Sequence, residues 1–294
     1  MPLPPLTRGR PAAGLTAAAA LLLILSACSP GSGAPDAGNA PSTAAAGLPS
    51  SHVHGLSVNR ETDQVLLATH EGLFDVTKSP GTQIGDTNDL MGFTAAADQG
   101  VFYASGHPGP GSDLPNPMGL IRSADGGKTW EQLSRQGESD FHTLTVTKSG
   151  IVAHDGTLQT SPDGKTWSTA SADFVPAALA STPETDTVLA TTRDGLQRST
   201  DGGKTWALNT TAPIIQFVAF ASGTEVLGVE PDGSIHYSTD AGSTWSRTGQ
   251  IEGQVQAITA VEGAEGQPWI WAATTEGLVV STDGGATFRP ADAA

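Results

Sequence analysis

Ser199-Thr200-Asp201-Gly202-Gly203-Lys204-Thr205-Trp206 recurs along this chain. Ser123–Trp130 reads SADGGKTW, Ser161–Trp167 reads SPDGKTW with one residue fewer, Ser238–Trp245 reads STDAGSTW, and Ser281–Phe288 reads STDGGATF. The leading serines lie 38, 38, 39 and 43 residues apart. Self-similarity at this period marks a repeat architecture, in which each unit buries its apolar faces only against its neighbours. Within the unit, the carboxylates of Asp125, Asp163, Asp201, Asp240 and Asp283 can accept hydrogen bonds from backbone N–H groups just ahead of them. The glycines supply positive φ, the Ser and Thr hydroxyls add local bonds, and the closing aromatic can pack between sheets. These aspartates build turns rather than catalyse.

Between the boxes, runs rich in Val, Ile, Thr and Leu alternate with Gly and Asp turns, the pattern of many short strands. Each repeat reads as four strands, A to D, with the box joining C to D. Strand A starts near His54, Met91, His142, Ala177, Gln216 and Gln256. Strand B starts near Val65, Phe102, Ile151, Val188, Val226 and Trp269. In the first unit Lys78-Ser79-Pro80-Gly81 stands where the Asp would be. The expected fold is all-β, a six-bladed propeller of four-stranded antiparallel blades, with no strand exchanged between the first and last blades.

The S-x-D-x-G-x-T-W pattern resembles the Asp-box, or BNR repeat, of the sialidase-type β-propellers. That motif is also found in sortilin-like domains, some glucanases and photosystem assembly factors. A sialidase needs three arginines on the substrate carboxylate and a Tyr nucleophile with a Glu partner. Only Arg193 is placed to reach a channel mouth here, while Arg122, Arg198, Tyr103 and Tyr237 fall on strands. The chain also resembles a group of bacterial lipoproteins with H-x-H-G and T-H-E-G-L stretches, here His52–Leu56 and Thr69–Leu73. These are commonly labelled glycosyl hydrolase-like, which implies no particular substrate.

Arg8 and Arg10 precede an apolar run from Ala17 to Leu25, a secretory signal too short to span a membrane. Leu25-Ser26-Ala27-Cys28 resembles a bacterial lipobox, which implies lipidation of Cys28. Cys28 is the only cysteine, so no internal disulfide is possible. The expected organisation is a signal peptide over 1–27, the lipidated Cys and a disordered linker over 28–50, and the propeller over 51–294. The expected location is the outer face of the cell membrane, and the domain is expected to be a monomer. Without Arg8 and Arg10, 12 basic residues face 30 acidic ones, a balance of −18 that argues against nucleic acid as a partner.

In a propeller the box turns lie on one face, and the B–C turns and D–A entries lie on the other. Aligning the blades puts His54, Met91 and His142 at the start of strand A, with His52, Asp89 and Asp140 two residues earlier. It puts His70, His107 and His154 at the end of strand B. Met118 closes the long Pro-rich B–C loop of blade 2, so six of the seven histidines and both non-initiator methionines gather on blades 1 to 3. Imidazole suits Zn and Cu, and a thioether favours Cu(I). The expectation is a copper or zinc ion held by a subset of these residues. A polar, water-lined channel or acid–base catalysis would use the same residue types. Glu71 and Asp155, each following a His and preceding a Gly, are the candidate carboxylates for a glycoside hydrolase acting on a glycan. They also fit turn chemistry.

Overall fold

A computed structural model describes residues 48–59 and 61–293. Six separate four-stranded antiparallel sheets follow one another along the chain, each made of four consecutive strands. Blade 1 is Val53–Asn59, Gln64–Thr69, Gly72–Asp75 and Thr82–Ile84. Blade 2 is Asp89–Ala95, Phe102–His107, Leu120–Ser123 and Glu131–Ser134. Blade 3 is Thr143–Thr147, Gly150–His154, Leu158–Ser161 and Ser168–Thr169. Blades 4, 5 and 6 open with Pro176–Ala180, Phe217–Phe220 and Val255–Val261. Each first strand touches the next, and Val255–Val261 touches Val53–Asn59, which closes the ring without strand exchange.

The second strand of each blade is apolar on both faces, as a sheet covered on two sides requires. Gln64–Thr69, for example, is buried at every position but the first. The core is accordingly divided into six clusters, one per seam between blades. The box aromatics fill these seams. Trp167 stacks on Phe141 with ring centroids 4.8 Å apart, and Phe174 meets Trp206 edge-on at 5.3 Å. Blade 1 has no box, and its seam with blade 6 is filled by Trp269, Trp271 and Leu48 instead.

The box itself has a repeated wiring. Ser199 Oγ donates to Asp201 Oδ1 at 2.8 Å and accepts from Gly203 N at 3.0 Å. Asp201 Oδ1 accepts from Thr205 N at 3.0 Å, and Oδ2 from Thr205 Oγ1 at 2.6 Å. The same bonds recur at Asp125, Asp240 and Asp283. The shorter box of blade 3 keeps the Asp163 bonds to Ser161, Lys165 and Thr166.

The expected signal peptide and lipidated Cys28 lie outside the described residues. The expected linker over 28–50 reaches into the described residues from position 48. Leu48 is buried in the seam between blades 6 and 1, because a single leucine in a Ser/Pro/Gly-rich stretch is enough to pin the chain there.

Candidate metal centre at the channel mouth

The first strand of each blade begins with a buried apolar anchor, and the residues flanking it reach the mouth. Val53, Leu90, Phe141, Pro176, Ile215 and Val255 are these anchors. In blades 1, 2, 4 and 6 the pairing with the second strand slips by a residue just after the anchor. Such a bulge turns the extra residue out of the ladder. The residues after the anchors are His54, Met91, His142, Ala177, Gln216 and Gln256. The residues before them are His52, Asp89, Asp140, Val175, Ile214 and Gln254. At the end of the second strand or in the turn just after it lie His70, His107, Gly156, Arg193, Pro231 and Thr275.

Three of the expected ligands converge. One ring nitrogen from each of His52, His54 and His70 can be chosen so that all three lie within 4.8 Å of one another. His54 Nε2 is 3.3 Å from both ring nitrogens of His70. That spacing is close to the edge, about 3.3 Å, of a tetrahedron with metal–nitrogen bonds of about 2.0–2.1 Å. The rings stand edge-on, His54 to His70 at 83° and His52 to His54 at 60°. Asp89, from the next blade, accepts a hydrogen bond from His70 Nδ1 at 2.8 Å. This fixes the proton on Nδ1 and leaves Nε2 with a free lone pair, the usual arrangement behind a metal-bound imidazole. Burial, and then the proximity of His70 and His52, lower the His54 pKa to about 4, against a raising effect of Asp89. His54 is therefore neutral, with its lone pair available, at any ordinary pH.

A second group lies one blade on. His107 Nε2 is 3.2 Å from Asp140 Oδ2, and His142 Nε2 is 3.4 Å from the same oxygen. His107 Nδ1 is 2.8 Å from Asn116 Oδ1, which ties the Pro-rich loop to the mouth. With an acceptor at each ring nitrogen, His107 is favoured as a cation. Its pKa is raised by the Asn116 bond first and by Asp140 and Asp89 after it, against burial. Asp140 Oδ1 is buried without a hydrogen-bond partner among the described residues. The signal for Asp89 and Asp140 was their shared offset before strand A. Their pairing runs between blades, which no alignment within a blade displays.

Two further expected ligands, Met118 and His154, are buried in the core. Met118 is fully buried in the seam of blades 1 and 2, its backbone N–H on the carbonyl of Gly106. It closes the loop from the core side. His154 is not the counterpart of His70. The B–C turn of blade 3 is one residue shorter, so His154 pairs with Thr143 and stands where Ala68 and Ser105 stand. It is 7% exposed, and burial lowers its pKa. Met91 keeps its place at the mouth, half-buried.

The two candidate carboxylates are turn residues. Glu71 is exposed, with its N–H on Thr69 Oγ1 at 3.0 Å, and Thr69 in turn donates to the carbonyl of Gly72. Thr192 and Thr274 repeat this turn. Asp155 replaces that threonine in blade 3, and both its oxygens are occupied, by Ser139 Oγ at 2.6 Å and Gln159 Nε2 at 2.8 Å. The arginines of a sialidase are not assembled. Arg122 pairs with Glu131 and Arg198 donates to the carbonyl of Ala241, both beside the boxes. Tyr237 does meet a glutamate, Glu225, but at the box end of blade 5, opposite the mouth.

Asp-box turns on five of the six blades of a closed ring define a β-propeller of the BNR/Asp-box type, distinct from the true sialidases. The model of the BNR/Asp-box repeat matches residues 197–208. No curated protein is significantly similar to the chain in sequence. Among solved structures, the GH74 xyloglucanase from Xanthomonas campestris superposes with a TM-score of 0.55 at 15% identity, over 82% of this chain and 39% of that one. The GH74 enzyme of Niastella koreensis gives 0.54 at 17% identity, over 82% and 37%. U3-55K gives 0.50 at 10% identity, over 78% and 77%. The chain thus spans under two fifths of either GH74 enzyme, and the likeness is one of fold.

Proposed function

We propose that this protein is an exported, lipid-anchored propeller that holds a copper or zinc ion at its channel mouth. The observation that carries the reading is the convergence of His52, His54 and His70 within 4.8 Å. Three imidazoles, one oriented by Asp89, make a donor set suited to either ion. Three protein ligands leave a coordination position open, as in catalytic and transfer sites rather than closed structural ones. The leader and the Leu25–Cys28 stretch support export and anchoring at the outer face of the membrane. A glycoside hydrolase reading has less support, since Asp155 is bonded at both oxygens and Glu71 belongs to an exposed turn.

Calorimetry of the metal-free protein with Zn(II), Cu(II) and Cu(I) tests the reading. One equivalent binding at micromolar concentration or tighter, lost in a His54→Ala/His70→Ala variant, is the expected result. No binding of any of the three ions would reject it.

A further inference from the structure

Two arginines occupy the same place in two blades, with different surroundings. Arg122 and Arg198 each precede the leading serine of a box, on the third strand of the blade. In blade 2 the residue paired with Arg122 on the fourth strand is Glu131, and Arg122 Nη1 donates to Glu131 Oε1 at 2.7 Å. In blade 4 the fourth strand is Ala207–Leu208, and the residue paired with Arg198 is Ala207. Arg198 Nε donates to the carbonyl of Ala241 in blade 5 at 2.9 Å, which ties the guanidinium to the next blade. Its two Nη groups have no partner among the described residues. Blades 3, 5 and 6 have no cation at this position, where Thr160, Tyr237 and Val280 stand. The chain has 30 acidic residues against 14 basic ones, so a guanidinium without a carboxylate does not reflect a shortage of acid.

Beside Arg198 lies an open hollow of about 360 Å³, whose lining includes Thr200, Trp206, Ala207, Leu208 and Ser243. That volume falls in the range of small-ligand pockets. The Trp206 indole N–H is held on the carbonyl of Gly203 at 2.8 Å, and Leu208, 44% exposed, adds a second apolar side chain. Thr200 is exposed, and its hydroxyl has no hydrogen bond among the described residues. We infer that this hollow binds a small acid whose carboxylate is carried on a compact ring, and that the ligand's carboxylate takes at Arg198 the place that Glu131 takes at Arg122. The two Nη groups donate to its oxygens, the charge-assisted pairing that a guanidinium makes with a carboxylate. Trp206 and Leu208 cover the apolar face of the ring, and Thr200 supplies a further donor. A hexuronate of an acidic glycan and an aromatic acid share this chemistry, a carboxylate beside a ring face. The site lies beside the boxes, opposite the mouth, and needs no ion there.

The test is a ligand-observed NMR titration of the full chain, without added metal, using glucuronate and benzoate. Glucose and benzyl alcohol serve as their uncharged counterparts. At least one acid should bind with a millimolar Kd or tighter, and about tenfold or more tightly than its counterpart, as hydrogen bonds to a charged group provide. Binding of glucuronate alone assigns the site to an acidic sugar, of benzoate alone to an aromatic acid, and of both to ring acids of either kind. Arg198→Gln should remove the gain. Ala207→Glu should remove it too, by supplying from the fourth strand the carboxylate that blade 2 has there. Position 207 is exposed, so that variant should keep the wild-type melting temperature. Binding of neither acid overturns the inference. So does binding that survives either variant, or equal binding of the uncharged counterparts.

Discussion

His70 and Asp89 meet across the seam of blades 1 and 2, Nδ1 to Oδ1 at 2.8 Å, and His107 and Asp140 repeat the meeting one blade on. The repeat stops there, because the shorter turn of blade 3 offers no third histidine at that position and blade 4 offers Val175 in place of the aspartate. Only the first pair has two further histidines within reach. The same His–Asp device therefore orients an imidazole in one seam and stabilises a cation in the next. Asp89→Asn should lower metal affinity about 10- to 100-fold with the fold unchanged, read by competition with a chromophoric chelator. Asp140→Asn should leave that affinity near wild type and lower the His107 pKa, read by NMR titration. Equal losses in the two variants would mean that the pairs do not divide their roles.

The boxes set the acid limit of the fold. The Thr129 hydroxyl, then its N–H and Ser123, hold Asp125 at about 2. Backbone bonds from Thr166 and Lys165 do the same for Asp163, and those from Thr244 for Asp240. At Asp201 burial pushes upward and is outweighed by Thr205 and Ser199, again giving about 2. A folded pKa below the unfolded one means that the unfolded chain takes up protons first as the pH drops. The contribution is whole above about 3.8 and is lost as the pH falls toward about 2. His54 acts earlier in the metal-free protein, removing stability between about 6.5 and about 4 for the same reason. Thermal melts across pH should show a shallow loss in the upper window and a steep one in the lower. His54→Gln should flatten only the first.

Box glycines differ in what surrounds them. Gly203 has φ +81°, and a Cβ there would lie 2.7 Å from a methyl of Val152 in the preceding blade. Gly126 has φ +79° with open space around it. Gly126→Ala should cost about 1 kcal/mol, from the backbone conformation alone. Gly203→Ala should add overpacking of about 1–3 kcal/mol. Urea denaturation at constant m-value separates the two, and equal costs would show that the seam yields freely.

The propeller was legible because its signal is periodic. Five boxes at nearly constant spacing number the blades, and strand starts read from them fall within a few residues of those observed. The mouth was partly legible. His52, His54 and His70 sit in one blade, so a reading of that blade alone brings them together. The errors came where one residue changes a register. The short turn of blade 3 moves His154 two positions into the core, and Met118, at the end of a polar loop, turns inward to cover the seam.

The proposed membrane anchor can be tested apart from the fold. Cys28→Ala should release the protein from the membrane fraction with no change in melting temperature, because the core clusters of the described residues are built from Leu48 onward. Fractionation of cells expressing each form provides the reading. Retention of the variant in the membrane would place the anchor elsewhere.

The two methionines should respond in opposite ways. Met118 is fully buried among Leu66, Leu73, Leu90 and Ile121, so Met118→Ala leaves a cavity and should cost about 2–5 kcal/mol while leaving ion binding intact in the folded fraction. Met91 occupies in blade 2 the place of His54 in blade 1 and of His142 in blade 3, and its removal opens no core. Met91→Leu keeps the volume and removes the sulfur. A thioether contributes to Cu(I) and little to Zn(II). Met91→Leu should therefore weaken Cu(I) binding by about tenfold or more and leave Zn(II) binding unchanged if the mouth is built for copper. If both ions bind the variant as they bind the wild type, the centre is a three-imidazole site alone, and zinc or Cu(II) is its natural occupant.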